Sequence, residues 1–136
     1  MNIEKINELI NKKYNSKDLE RIVQNDIREL LDAMTIKVFR INVFSGKTVD
    51  NRFIKSGVPK GYPDLSGYLP SGIALFIEVK RPNGKGIQSE FQKTFERDAI
   101  NNHAIYILAK NPKEVFDRLL RIRSVRNLYE KSKGEK

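Results

Sequence analysis

Residues 61–80 constrain the fold of this chain more strongly than any other stretch. Residues 73–79 are almost continuously apolar and rich in branched and aromatic types, which is typical of a strand covered on both faces in the middle of a sheet. The preceding Leu69-Pro70-Ser71-Gly72 has the Pro and Gly content of a chain reversal. We therefore predict two antiparallel neighbouring strands joined by a tight turn.

Charged residues close the apolar strand at its C-terminal end. Glu78 and Lys80 are two residues apart, so their side chains lie on the same side of a pleated strand. With the turn centred near Ser71, the numbers of paired residues sum to about 142, which places Asp64 opposite Glu78 with the side-chain bases roughly 5 Å apart. Two carboxylates this close either raise the pKa of one of them or hold a cation between them.

This arrangement predicts a divalent-metal site. The chain has no cysteine, and carboxylate and carbonyl oxygens suit Mg²⁺ or Mn²⁺. We expect Asp64, Glu78 and the main-chain carbonyl of Val79 to bind the ion. Lys80 beside it would orient or deprotonate the attacking water, so the residues indicate metal-assisted hydrolysis. The alternative is a surface ion pair between Lys80 and one carboxylate, with Asp64 in an ordinary turn.

The composition favours a polyanionic partner. Lys and Arg outnumber Asp and Glu by 26 to 17, giving a formal charge of +9. Nucleic acid is the first candidate and an anionic membrane surface the second. No apolar run approaches the roughly 18 residues of a membrane span, and the N-terminus lacks the apolar core of a signal peptide, so we expect a cytoplasmic protein.

The absence of certain residue types excludes several kinds of site. Without cysteine there are no disulfides and no thiolate zinc sites. The single histidine, His103, excludes mechanisms that need two histidines, and Asn101-Asn102-His103 is typical of a helix end. Lysine and carboxylates remain to carry the chemistry.

Helical and strand patterns alternate along the rest of the chain. Apolar residues at helical spacing predict helices over residues 3–14 and from residue 19 to about 34, and strand patterns cover 35–44, 49–54 and 104–109. A helix after Ser89 would have Phe91, Phe95 and Ala99 on its core-facing stripe. It would connect residues 73–80 to 104–109 as a β-α-β crossover.

The C-terminal part predicts one last, basic helix. Asn111 is its expected cap, Pro112 its first residue and Glu114 its third. Residues 110–136 contain nine Lys or Arg and four Asp or Glu. Two explanations remain open: Arg118, Arg121, Arg123 and Arg126 grip backbone phosphates, or they form a solvated helix face with a frayed tail after Leu128.

Three segments together resemble the VRR-Nuc family of the PD-(D/E)xK nuclease superfamily. Gly61-Tyr62-Pro63-Asp64, Ile77-Glu78-Val79-Lys80 and Ser89-Glu90-Phe91-Gln92-Lys93 match its G-x-P-D, E-V-K and S-x-x-Q-K elements in the right order. The resemblance covers roughly residues 18 to 110 within one expected domain, 1–136, leaving the basic 111–136 outside. It implies an α/β fold with a restriction-endonuclease-like mixed β-sheet flanked by helices.

The resemblance also implies an activity and residue roles. The activity is that of a divalent-metal-dependent DNA endonuclease, often selective for branched or flapped structures. Asp64 and Glu78 would bind the metal, Lys80 would serve the nucleophilic water and Gln92 would lie near the site. Glu20 is the best match for an acidic residue on the first helix. For Gln92 a capping role with Ser89 is the alternative explanation, and it is compatible with a place near the site. For Glu20 the alternative is a first-turn position favoured by the helix dipole.

DNA is the expected partner, and a membrane is not. Basic residues around the loops and strand near the site would contact phosphates, although solvated surface charge explains each of them equally simply: Arg40, Arg52, Lys60, Arg81 and Lys85. By resemblance we expect a homodimer, since some single-domain members, including phage-encoded ones, resolve four-way junctions as dimers. A phage origin would make the host cytoplasm the compartment. A non-catalytic DNA-binding module with the same fold, or a protein-interaction subunit, remains the alternative.

Overall fold

A computed structural model describes residues 1–41, 45–47, 53–55, 57–83 and 86–134. The helices are α1 (Ile3–Ile10), α2 (Glu20–Ala33), α3 (Glu90–Asn101), α4 (Pro112–Leu119) and α5 (Arg123–Lys133). The strands are β1 (Lys37–Arg40), β2 (Ser45–Lys47), β3 (Phe53–Lys55), β4 (Leu65–Tyr68), β5 (Ala74–Val79) and β6 (Ile105–Ala109).

Four of the described strands form a mixed sheet in the order β1-β4-β5-β6. The other two, β2 and β3, pair with each other in a separate two-stranded sheet. The β1–β4 and β4–β5 pairs are antiparallel, and the β5–β6 pair is parallel, with α3 in the crossover. Three predictions are confirmed here: β5 lies inside the sheet, β4 is its antiparallel neighbour, and β6 follows a β-α-β crossover. The fold is α/β with a mixed sheet flanked by helices.

The register between β4 and β5 is the predicted one. Leu65 pairs with Ile77, so the numbers of paired residues sum to 142. The turn closes with the amide of Leu69 donating to the carbonyl of Ile73 at 2.9 Å, and Gly72 adopts a φ of +90° that favours glycine. The turn chemistry therefore sets which side chains meet at the far end of the two strands.

The two faces of the sheet are covered differently. Alternate residues of β5, Leu75, Ile77 and Val79, point into the main core, which is filled from the other side by α1, α2, α4 and α5. The intervening residues point toward α3, where rings pack edge to face: Phe76 lies 5.0 Å from Phe95 and 5.9 Å from Tyr62 between ring centres. Glu78 continues this second face.

Helix caps agree with the sequence. Ser89 and Gln92 form a reciprocal capping box at the start of α3, and the side chain of Asn111 accepts from the amide of Glu114 with Pro112 in the first turn of α4. His103 follows α3 with a φ of +63°, as expected of a residue in the turn after a helix.

Three expectations were wrong in detail. α1 ends at Ile10, because Tyr14 leaves the helix and donates to the carboxylate of Asp26 at 2.6 Å. The last helix is two helices, and α5 continues to Lys133 because Tyr129 is buried against Phe116 with ring centres 5.2 Å apart. Phe91 is 53% exposed, so it is not part of a core-facing stripe.

The structure describes only parts of two of the expected strands. The strand expected over 35–44 is described only as Lys37–Arg40, and of 49–54 only residues 53 and 54 fall in the described β3; residues 42–44 and 48–52 lie outside the described part of the chain. Within the described ranges, no helix is both long enough and apolar enough to cross a membrane.

Candidate active site

The C-terminal end of β5 brings four of the predicted side chains together. Asp64 directly precedes β4, Glu78 and Lys80 lie at the end of β5, and Gln92 lies in the first turn of α3. The confirmed register places Asp64 across from Glu78, on the face of the sheet that α3 covers. A helix N-terminus therefore faces a pair of carboxylates at the edge of the sheet.

Glu78 is buried, with 4% of its surface exposed. Its Oε1 accepts from Nε2 of Gln92 at 2.8 Å and lies 3.8 Å from Nζ of Lys80. Its Oε2 is buried without a hydrogen-bond partner among the described residues. Burial, followed by the negative charge of Asp64, raises the pKa of Glu78 to about 8, and the charge of Lys80 opposes this shift. Hydrogen bonding with Asp64 contributes less: the contact between the two carboxyl groups raises the pKa and the Asp64 backbone lowers it.

Asp64 is fixed by the main chain of β5. Its Oδ2 accepts from the amide of Val79 at 2.8 Å. Extending the register would place Pro63 opposite Val79, and proline has no N–H to donate to the Val79 carbonyl. Because the N–H and C=O of one strand residue point to the same neighbouring strand, that carbonyl lies on the Asp64 side. Pro63 therefore leaves an oxygen beside the two carboxylates.

Lys80 is held in place by Gln92 and by a glycine. Only 11% of its side chain is exposed, and its Nζ donates to Oε1 of Gln92 at 3.3 Å. Gly86 packs on its aliphatic stem so closely that a Cβ at that position would lie 2.8 Å from Cδ of Lys80. The ammonium is therefore directed toward Glu78.

Gln92 has both of the predicted roles at once. Its Oε1 accepts from the amide of Ser89 at 2.9 Å to close the capping box, while its Nε2 contacts Glu78. Capping of α3 and contact with Glu78 are therefore compatible in this one side chain.

Glu20 begins α2 close to the same site. Burial comes first among the causes that raise its pKa, followed by the charge of Asp64, while the charges of Lys80 and Arg81 act in the opposite direction. These electrostatic interactions place Glu20 near the cluster, and its catalytic role stays a prediction.

Three of the five residues predicted to contact phosphates are described, and all three are exposed. Arg40 at the end of β1 and Arg81 directly after Lys80 are both exposed. Lys60 is exposed as well, and its Nζ lies 4.7 Å from the centre of the Phe91 ring. Arg52 and Lys85 lie outside the described residues.

Sequence reasoning missed Tyr106. This buried side chain of β6 accepts a hydrogen bond from Nε2 of Gln88 at 3.4 Å, which ties the segment before α3 to the sheet. Burial raises its pKa to about 12; Gln88 opposes that shift, and the charge of Glu78 adds to it. The parallel register Phe76↔Tyr106 places it on the site face, and the residue pattern of β6 alone does not give that register.

The donor set fits a hard divalent cation. The partnerless Oε2 of Glu78, the carboxylate of Asp64 and the Val79 carbonyl are all oxygen ligands. Among the described residues no three His, Cys, Asp or Glu side chains form a metal-binding group. Mg²⁺ commonly binds through one or two carboxylates together with waters and substrate phosphates, which matches a site with two protein carboxylates.

Comparison with models of protein families, with curated proteins and with solved structures finds no match for this chain.

Proposed function

We propose that this protein is a divalent-metal-dependent endonuclease that hydrolyses phosphodiester bonds in DNA. The observation that carries the proposal is the buried Oε2 of Glu78, which has no described partner and lies in a cluster with Asp64, Lys80 and Gln92. A buried carboxylate oxygen without a donor is costly when the group is ionised. Protonation, reflected in the raised pKa of Glu78, relieves that cost without metal, and a bound cation would relieve it with the carboxylate ionised.

The chain's own residues divide the work between binding and charge stabilisation. Asp64, Glu78 and the Val79 carbonyl would hold Mg²⁺ or Mn²⁺, which supplies Lewis-acid activation of the scissile phosphate and of water. Lys80 would stabilise the negative charge that develops on the phosphoryl oxygens. Gln92 orients both Lys80 and Glu78. Glu20 would add a third carboxylate near Asp64 and Glu78.

We further propose that the fold is restriction-endonuclease-like, of the VRR-Nuc type. The protein would act as a homodimer and prefer branched, flapped or nicked DNA. It is supported by the order of the three motifs and by the way their residues converge on one end of β5. The formal charge of +9 favours the DNA partner through phosphate contacts.

Cleavage assays test the activity. We expect the protein to cut supercoiled plasmid, or a member of a panel of flap, fork, four-way junction and plain duplex DNA, in Mg²⁺ or Mn²⁺ but not in EDTA. Glu78→Gln and Lys80→Gln should each lower the cleavage rate at least about 100-fold, because each removes a charge from the reacting centre.

Matched surface variants control for charge and folding. Glu8 and Lys113 are exposed residues on α1 and α4, so Glu8→Gln and Lys113→Gln change the same charges away from the site and should cleave like the parent. DNA binding without metal-dependent cleavage, unchanged by Glu78→Gln, would instead identify a non-catalytic DNA-binding module. Equal loss of activity in the site and surface variants would refute the assigned roles.

A further inference from the structure

An exposed aromatic side chain lies at the start of α3, where the following residue, Gln92, reaches Glu78. Phe91 lies in the first turn of α3, immediately before Gln92, and is 53% exposed. Ile87, in the segment that leads into the helix, is 83% exposed. Single exposed apolar side chains are common on protein surfaces, so the Phe91 ring is informative only together with its surroundings.

The ring is held in position by the loop before β4. Gly61 has a φ of +90°, and a Cβ there would lie 2.5 Å from the backbone carbon of Phe91. Only glycine allows the two backbones to approach this closely. The preceding residue, Lys60, then has its Nζ 4.7 Å from the centre of the Phe91 ring.

A surface pocket of about 380 Å³ lies between this loop and α3. The residues around it include Lys60, Glu90, Phe91, Thr94, Phe95 and Asp98. It offers a ring for stacking, two carboxylates that accept from amino groups and an ammonium that pairs with phosphate. Glu90 is itself paired with Lys93 at 3.4 Å, which offsets its charge beside a phosphate. This combination matches the three parts of a nucleotide: a flat base, its exocyclic donors and its anionic backbone.

We propose that this pocket takes an unpaired nucleobase of the DNA substrate, which stacks on Phe91 as the Lys60 ammonium moves from the ring to the adjacent phosphate. The inference rests on the proposed action on DNA and deepens it. A base in an intact duplex is already stacked on both faces and paired along its edge, so this pocket selects DNA that has an unpaired nucleotide.

Binding by the full chain carrying Glu78→Gln tests this without cleavage. The probe is a dye-labelled forked duplex, with an abasic nucleotide placed in turn at each of the first unpaired positions, and Kd is measured by fluorescence anisotropy. We expect Phe91→Leu to raise Kd about tenfold on the intact fork, as the loss of one stacked base predicts. On the fork lacking the base at the stacking position, Phe91→Leu should have no further effect.

Two controls sharpen the result. Phe39→Leu changes an equally exposed ring, 57% exposed on β1, and should leave Kd unchanged on every probe. Phe91→Tyr keeps the ring and should bind like the parent. Lys60→Gln should reduce the slope of log Kd against log salt concentration by about one unit.

Equal effects of Phe91→Leu on intact and abasic forks, or the same loss with Phe39→Leu, would overturn the proposal, as would failure to bind forked DNA. The proposed activity fails separately. If the parent protein does not cleave DNA while the Phe91 coupling is present, the base pocket stands without the nuclease. If it cleaves DNA without that coupling, only the pocket is refuted.

Discussion

At the scale of single residues, Glu78 is held where a negative charge is unfavourable. It is buried, it faces Asp64, and one of its oxygens lacks a described partner. Lys80 and Gln92 compensate only part of this cost, since both act on Oε1. The other oxygen, Oε2, is the feature on which the proposed metal site rests.

The raised pKa of Glu78 makes stability depend on pH. Its folded-state pKa of about 8 lies above the ordinary 4.5, so the folded state binds the proton more tightly than the unfolded state. The stability that protonated Glu78 contributes to the folded state is fully present below pH 4.5 and is lost as pH rises through 8. In EDTA, Tm should therefore fall between pH 5 and 9 by about 5–10 °C more in the parent than in Glu78→Gln, as measured by circular dichroism.

Added Mg²⁺ separates the electrostatic cause from general alkaline instability. At pH 9 the ion should recover most of the lost Tm in the parent and little in Glu78→Gln, because a bound cation favours the ionised carboxylate. Identical pH curves for the two proteins in EDTA would show that Glu78 titrates normally.

At the scale of elements, the loop before β4 packs closely against α3. This contact positions both the candidate site and the pocket beside Phe91. Gly61 permits this approach by two independent properties, a positive φ and the absence of a Cβ that would collide with the Phe91 backbone. Gly72 shares the same φ of +90° but has open space around it. A side chain at Gly72 would meet only the unfavourable φ, whereas a side chain at Gly61 would also collide with α3.

Alanine at these two positions should have unequal effects. Gly72→Ala should lower the free energy of unfolding by about 1 kcal/mol, because only the unfavourable φ is added. Gly61→Ala should lower it by about 3 kcal/mol, because the loop must also move away from α3. Urea unfolding curves measure both, and equal losses would mean that the loop yields without cost.

The sequence predicted the elements whose signals are local. The Pro-Gly turn set the β4–β5 register, and Ser89 and Gln92 predicted the capping box. Phe91 was misplaced because helical spacing identifies a stripe but not the neighbour that covers it. Tyr106 was missed since its side depends on a parallel register across a crossover, and the pairing of Lys60 with Phe91 depends on tertiary contact.

At the scale of the whole molecule, the basic C-terminal segment is part of the folded core. Val125 and Tyr129 of α5 are buried in the same core as α1 and α4, and the N-terminal ammonium donates to Oγ of Ser132 at 3.3 Å. The exposed arginines of this segment, Arg121, Arg123 and Arg126, are therefore carried on a packed helix and its preceding turn. Phosphate contacts by these side chains stay a prediction.

Packing of α5 predicts that adjacent residues differ sharply in their contribution. Tyr129→Ala should lower the free energy of unfolding by about 3 kcal/mol, because it removes a buried ring from the core. Leu128→Ala, at a position 38% exposed, should cost about 1 kcal/mol or less. Similar values for both in urea unfolding would indicate a loosely attached helix.

Gln92 links the chemistry of a carboxylate to the beginning of a helix. Because one amide group contacts Ser89, Lys80 and Glu78 together, replacing Gln92 would remove three contacts between the start of α3 and the end of β5 at once. Gln92 contacts Oε1 of Glu78, so a group bound at Oε2 would leave this connection in place. The helix cap and the buried carboxylate are therefore secured by the same side chain.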